Sequence, residues 1–298
     1  MSRVVYRRAD AAVVVQARYR DVLDRWPVEK TELQVSTSHG STFVLACGPE
    51  RAPPVLLLHG SQANAASWMC DVASWSTKFR LFAVDMIGEA GLSAPVRPEL
   101  ASDAHARWLD DVFKGLGLSR AAFIGASLGG WLALDYAKRR PAAVDALVLI
   151  CPAGIGRQKN FLLKALPLLL LGPWGRRKTR ELVFGPAPTV LPEHIQPFAD
   201  LMDSIDRAIK PRIVSIPRLT DAELSRLTMP ILTIIGGRDV LLDSRDTKQR
   251  LQRAAPHAEI RFIEEGYHFL PDQTSRVMDF LERSLSARLA NDTLMPHS

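Results

Sequence analysis

Six short apolar runs punctuate the chain: Val55 to Leu58, Leu81 to Val84, Ala121 to Ile124, Ala146 to Ile150, Ile231 to Ile235 and Ile260 to Ile263. They are rich in Val, Ile and Leu and mostly lack polar alternation, the pattern of strands buried on both faces. Helical stretches are expected at 65–78, 101–115, 128–140, 244–255 and 272–290, with Gly117 and Pro141 standing where helices need a stop. Strands alternating with helices mean a parallel sheet covered by helices, because each crossover must carry the chain back over a face of the sheet. Upstream, Asp10 to Trp26 spaces its apolar residues at helical period and ends before Pro27. Thr31 to Val35 and Thr42 to Ala46, joined through Ser38-His39-Gly40-Ser41, read as a hairpin at one sheet edge. The fold class is therefore α/β, with eight strands, mostly parallel.

The alternation breaks between about Ala153 and Glu223. No strand-like run occurs there, and prolines recur at Pro167, Pro173, Pro186, Pro188, Pro192, Pro197, Pro211 and Pro217. The expected organisation is a core in two parts, 1–152 and 223–298, with a helical cap or lid inserted at 153–222. The cap includes Phe161 to Leu171 followed by Trp174, which reads either as a cap helix packed on the core or as the lining of a site for an apolar group. The cluster Arg176-Arg177-Lys178 with Arg180 reads as a solvated turn, or else as a contact for an anionic membrane or acidic substrate.

Composition narrows the function classes. The chain has 298 residues, 47% of them hydrophobic and 23% charged, enough to bury a large core. A net charge of +6 does not point to nucleic acid, because no run of Lys and Arg is interleaved with aromatics. The longest apolar stretch, Ala165 to Leu171, contains Pro167 and falls far short of the roughly 18 to 20 residues that cross a bilayer. Three cysteines, Cys47, Cys70 and Cys151, are too few for a disulfide framework and lack metal-ligand spacing. The first twenty residues scatter arginines among short apolar stretches and lack the apolar core of a signal peptide. A cytoplasmic protein, monomer or homodimer, is expected, and no residue set calls for a cofactor or a metal.

The strongest local signal is Gly125-Ala126-Ser127-Leu128-Gly129-Gly130, directly after the run ending at Ile124 and directly before a helical stretch. A bare G-x-S-x-G arises by chance about 0.1 times in a chain of this length, and chance does not set it between a strand and a helix. A sharp strand-to-helix turn holds the serine strained and exposed, and side chains two residues to either side would collide unless they are glycine. The competing readings are a helix-capping serine or a phosphate-binding turn. Neither G-x-G-x-x-G nor a P-loop lysine accompanies it.

A serine nucleophile needs a base and an acid that orients it. In sheets of this kind the chain order is nucleophile, acid, histidine, each on a loop after a strand. Asp239, in Gly236-Gly237-Arg238-Asp239 after the fifth run, fits the acid, with Asp243 competing. His268 follows the last run and fits the base. His39, His105, His194, His257 and His297 are expected at the surface, whereas His59, after the run ending at Leu58, is expected to brace a loop by hydrogen bonding. An oxyanion needs preformed donors. The backbone N–H groups of Leu128 and Ser61 are the candidates.

Taken together, His59-Gly60 with Trp68, the stretch Ala83 to Gly88 with Ser93, the motif at Ser127 and the segment Asp221 to Pro230 resemble the α/β-hydrolase superfamily, and within it bacterial carboxylesterases related to the naproxen esterase. The resemblance implies hydrolysis of carboxylic esters, here of small apolar ones, without a cofactor and beneath a helical cap. The same triad serves C–C bond hydrolases, lactonases and acyltransferases, which the fold does not separate. Two departures stand out. The loop Asp85 to Ser93 has one residue more than D-x-x-G-x-G-x-S, and the bulky Tyr267 precedes the histidine.

Overall fold

A computed structural model describes residues 5–186, 195–212 and 214–294 of the chain. His194, His297, Pro188 and Pro192 lie outside the described residues. The eight expected strands are all present: β1 (Lys30–Thr37), β2 (Gly40–Cys47), β3 (Pro54–Leu58), β4 (Arg80–Val84), β5 (Ala121–Ala126), β6 (Val144–Ile150), β7 (Ile231–Gly236) and β8 (Glu259–Ile263). They form one sheet in the order β1-β2-β4-β3-β5-β6-β7-β8. The hairpin β1–β2 and its junction with β4 are antiparallel, and from β4 to β8 every neighbour is parallel.

The strands bury both faces, as their unbroken apolar runs demand. Leu56 and Leu58 of β3 face one layer together with Trp108 and Trp131, while Val55 and Leu57 face the other with Tyr19 and Trp75. On the first face pack α3 (Ala104–Leu116), α4 (Leu128–Arg139), α8 (Asp221–Leu224) and α9 (Ser244–Ala254). On the second pack α1 (Ala9–Leu23), α2 (Val72–Trp75) and α10 (Thr274–Leu294). Gly117 ends α3 in the left-handed conformation, φ 68°, that a residue without Cβ adopts at least cost.

Among the described residues, three helices lie between β6 and α8: α5 (Phe161–Leu169), α6 (Gly172–Phe184) and α7 (Gln196–Ala208). The last of these is not detached from the core. Leu201 and Ile205 of α7 join the same apolar cluster as Val15 and Tyr19 of α1, and beyond it Ile209 pairs with Tyr6 in an isolated antiparallel bridge. No described helix is long and apolar enough to cross a membrane.

The expected helix at 65–78 is instead two short pieces, a 3-10 turn at Ala65–Trp68 and α2. Each piece has its own anchor. The Ala65 N–H donates to the Asp85 carboxylate, whereas the Thr274 hydroxyl donates to Asp71 and the Trp75 indole to the Thr274 carbonyl. At the C-terminus, α10 continues past Ala290 to Leu294, beyond the expected fraying point.

His105 corrects another expectation. It is buried, only 3% exposed, with its ring edge-on to Trp131 at 6.0 Å between centroids. Burial, assisted by the positive charge of Arg212, pushes its pKa down to about 3 from an ordinary value near 6.5. A folded pKa below the unfolded one adds stability above the unfolded value, and that stability is lost as pH falls toward the folded value. His105→Phe keeps the aromatic contact and removes the titration. Its melting temperature is therefore expected to drop less than the parent's between pH 7 and pH 4, as thermal denaturation followed by circular dichroism would show.

Candidate active site

Strand β5 ends at Ala126 and α4 begins at Leu128, leaving Ser127 alone to turn the chain. Its backbone has φ 50° and ψ −110°, a conformation that costs a residue with a side chain about 1 to 3 kcal/mol and persists only where the surroundings enforce it. The enforcement is visible. Ser127 N–H donates to the Ile150 carbonyl at 2.9 Å, and its own carbonyl accepts from Ala153 and Trp131, each at 3.1 Å. The flanking glycines are obligatory for distinct reasons. A Cβ on Gly125 would stand 2.6 Å from the Gly129 carbonyl oxygen, while one on Gly129 would overlap the backbone oxygens of Leu58 and His59 at the end of β3.

The structure brings His268 and Asp239 to this turn. The Ser127 Oγ lies 2.9 Å from His268 Nε2, and His268 Nδ1 lies 2.7 Å from Asp239 Oδ2. With the proton on Nδ1 directed to the carboxylate, Nε2 is free to accept from the serine hydroxyl. The other oxygen of Asp239 accepts the N–H groups of Leu241 at 2.8 Å and Leu242 at 3.0 Å, so the buried carboxylate is held on both sides. Asp243 is elsewhere. It caps α9 by accepting from Asp246 N–H and faces Arg157.

Leu128, buried, is the first residue of α4, and Ser61 sits in the exposed turn after β3. Gly60 carries that turn to the serine: a Cβ on it would stand 3.6 Å from Ser127 Cβ. His59 braces the turn as expected. Its Nε2 accepts the Met86 N–H at 3.0 Å and its Nδ1 donates to the Gly60 carbonyl at 2.7 Å. Full burial pushes its pKa down to about 4, so the ring stays neutral and keeps this donor–acceptor pattern. Below it, Asp85 accepts from Tyr19, Ala65 and Leu92, and desolvation raises its pKa to about 6.

Comparisons with known proteins identify the family. Residues 53–220 match the family described as alpha/beta hydrolase fold. The chain belongs to that family. It is similar to the carboxylesterase nap of Bacillus subtilis (strain 168), with 30% identity over 88% of each chain. It is also similar to the carboxylesterase YbfK of the same strain, at 30% identity over 88% of this chain and 92% of that one. Among solved structures, the naproxen esterase (carboxylesterase NP) from Bacillus subtilis superposes with a TM-score of 0.79 and 28% identity, covering 93% of this chain and 98% of that one.

In this α/β hydrolase the segment between β6 and α8 reaches the histidine loop directly. The His268 N–H donates to the Val183 carbonyl of α6 at 3.0 Å, and Tyr267 lies against Gly185 just beyond that helix, with Arg238 over its ring. Tyr267 thus ties the loop to the insertion. Burial is mixed among the described side chains of the apolar stretch. Ala165 is buried, but Leu166, Leu170, Leu171 and Trp174 are exposed. The basic cluster lies on α6, where Arg177 and Lys178 pair with Glu181, and Arg180 pairs with Asp203 and Asp206 of α7.

Ligand atoms of Cys151, Asp239 and His268 lie within 4.8 Å of one another, close enough to share a metal ion. Their chemistry fits a metal poorly. The buried Cys151 thiol is held far above its ordinary pKa by desolvation and by Asp239, and a thiol must ionise to bind metal. His268 Nδ1 is already directed to Asp239.

Two residues near the site were not singled out by sequence: Glu89 and Arg212. Glu89 Oε2 accepts the Gln62 N–H at 2.7 Å, and its Oε1 lies 3.3 Å from Arg212 Nε, both side chains buried. The only sequence signal was the extra residue in the loop Asp85 to Ser93.

Gly129→Ala is expected to lose at least about 2 kcal/mol of stability, because the new methyl meets backbone that cannot swing aside. Gly117→Ala, with nothing within 4 Å of its Cβ, is expected to lose only about 1 kcal/mol through its positive φ. Urea midpoints of the two variants test the difference.

Proposed function

We propose that this chain is a carboxylesterase acting through an acyl-serine intermediate, with Ser127 as nucleophile, His268 as general base and Asp239 as the acid that orients it. The observation carrying this reading is the unbroken hydrogen-bonded path from Ser127 Oγ through both nitrogens of His268 to Asp239 at a strained turn. Similarity to the carboxylesterases nap and YbfK over most of the chain supports ester hydrolysis as the reaction.

As Ser127 Oγ attacks the ester carbonyl, its proton passes to His268 Nε2. Asp239 stabilises the imidazolium that forms without itself taking the proton. The carbonyl oxygen, now negative, is held by the backbone N–H groups of Ser61 and Leu128, an arrangement in which each donor is typically worth about 3 to 4 kcal/mol. The tetrahedral intermediate collapses, the C–O bond breaks, and the alcohol leaves with the proton from His268. Water then attacks the acyl-serine with His268 again as base, and the carboxylic acid departs. Residues 153–222 act as a cap over this site, a reading supported by the bond from His268 N–H to Val183 and by the contact of Tyr267 with Gly185. Three free thiols, Cys47 and Cys151 among them buried, suit a cytoplasmic setting.

With p-nitrophenyl esters, the parent is expected to release a burst of nitrophenol before steady turnover if deacylation is slower than acylation. Ser127→Ala should abolish turnover and labelling by a fluorophosphonate. Asp239→Asn should lower kcat by about four orders of magnitude through the wrong histidine tautomer, while Asp243→Asn keeps kcat because its amide oxygen still caps α9. A Ser127→Ala variant that turns over normally would refute the assignment.

A further inference from the structure

We propose that Glu89 is a positioning residue for the oxyanion hole, its carboxylate fixing the Ser61–Gln62 turn and being held in turn by Arg212 of the inserted segment. The inference rests on the acyl-serine reading above and adds to it the device that sets one of the two oxyanion donors.

Four observations converge on Glu89. First, Gln62 has φ 57°, a left-handed conformation that is strained for a residue with a side chain. Its N–H is turned onto Glu89 Oε2 at 2.7 Å, within the range of charge-assisted bonds, and the Ser61 hydroxyl approaches the same oxygen at 3.5 Å. The residue supplying the oxyanion N–H is therefore tethered through its side chain and through the peptide that follows it. Second, Gly60, the preceding residue, lies beside the nucleophile turn, since a Cβ on it would stand 3.6 Å from Ser127 Cβ. Third, Glu89 is almost completely buried, and an isolated buried carboxylate is costly unless it is paired and hydrogen-bonded. Arg212 supplies the pairing from the stretch between α7 and α8. That stretch is itself anchored, since Lys210 N–H donates to the Val5 carbonyl and Arg97 donates to the Lys210 carbonyl. Fourth, two residues, Glu89 and Ala90, stand between Gly88 and Gly91, where the commoner loop pattern has one. The longer loop is the one that carries the carboxylate to the Ser61 turn.

A structural ion pair alone would affect folding. A positioning role affects the stabilisation of the transition state, so it should appear in kcat and in the affinity for a tetrahedral mimic, and much less in KM. Glu89→Ala leaves Arg212 buried and unpaired and could fail to fold, so the decisive variant is Glu89→Ala combined with Arg212→Met, which removes both charges. Using the full-length protein and a p-nitrophenyl ester, this double variant is expected to lower kcat by about 10- to 100-fold with KM within about 3-fold. A trifluoromethyl ketone, which forms a tetrahedral adduct with the serine, should bind weaker by a similar factor. Glu89→Gln combined with Arg212→Met, in which the amide oxygen can still accept the Gln62 N–H, should recover most of the loss. The proposal fails if the double variant melts like the parent and keeps its kcat, if the loss falls on KM alone, or if Glu89→Gln with Arg212→Met is as slow as the double variant. Ser127→Ala run alongside separates the two levels. If it remains active, the acyl-serine reading itself falls; if it is dead while the double variant runs at full rate, only the role of Glu89 falls.

Discussion

Most of what positions the site follows from one close approach, that of the start of α4 to the end of β3. No Cβ fits at Gly129, because the backbone oxygens of Leu58 and His59 already occupy the space. The same approach sets Gly60 beside Ser127, so that the start of α4 and the turn after β3 are neighbours. Packing of backbone on backbone is stiff in a way that side-chain contacts are not, since no rotamer can relax it. The strain at Ser127 is therefore held from outside the turn, by the ends of β3 and β6, and the placing of its half-buried hydroxyl results from the sheet's geometry.

Around this stiff centre the loops are held by buried polar groups. Neutral His59 links the end of β3 to the backbone of Met86, and Asp85 gathers Tyr19, Ala65 and Leu92 around one carboxylate. Such groups stabilise little in net terms, because their desolvation offsets much of their bonding. Their value lies in direction. A loop pinned by apolar contacts can slide, whereas one pinned by His59 on two defined atoms cannot move without leaving a buried donor or acceptor unsatisfied.

The sheet and the hydrogen-bonded trio were legible in the sequence for a common reason: each rests on local chemistry. Unbroken apolar runs such as Leu56 to Leu58 have no other stable place than a strand covered on both faces, and Gly125 and Gly129 flank Ser127 in the only pattern that lets it turn. The choice between Asp239 and Asp243 was not legible. Both follow β7 within a few residues, and only the coordinates show that one meets His268 while the other caps α9. His105 was misread because a histidine in a helix suggests solvent, although its spacing to Trp108, Leu109 and Val112 is that of a buried stripe. Glu89 and Arg212 lie more than a hundred residues apart, and their pairing depends on how the insertion returns to the core. No local pattern encodes that.

The way the insertion returns also bears on how such a hydrolase can change its substrates without losing its chemistry. Helix α6 offers the carbonyl of Val183 to the amide of His268, Gly185 receives the ring of Tyr267, and Arg212 stands on Glu89. Each of these contacts is made by backbone or by a single charged head, and none uses the exposed apolar side chains of α5 and α6. The exposed side chains of α5 and α6 are therefore separate from the contacts that reach the core, which include the apolar ones of Leu201 and Ile205. Among the exposed residues Leu170, 81% exposed, can be exchanged at little cost to folding, because it buries little area. A change at Gly185 has no such freedom, since its φ of 87° and the Tyr267 ring leave no room for a Cβ. The described part of the segment between β6 and α8 thus turns apolar side chains to solvent and, separately, makes backbone and charged contacts to the histidine loop and to Glu89, so a change of outer side chain leaves those contacts in place.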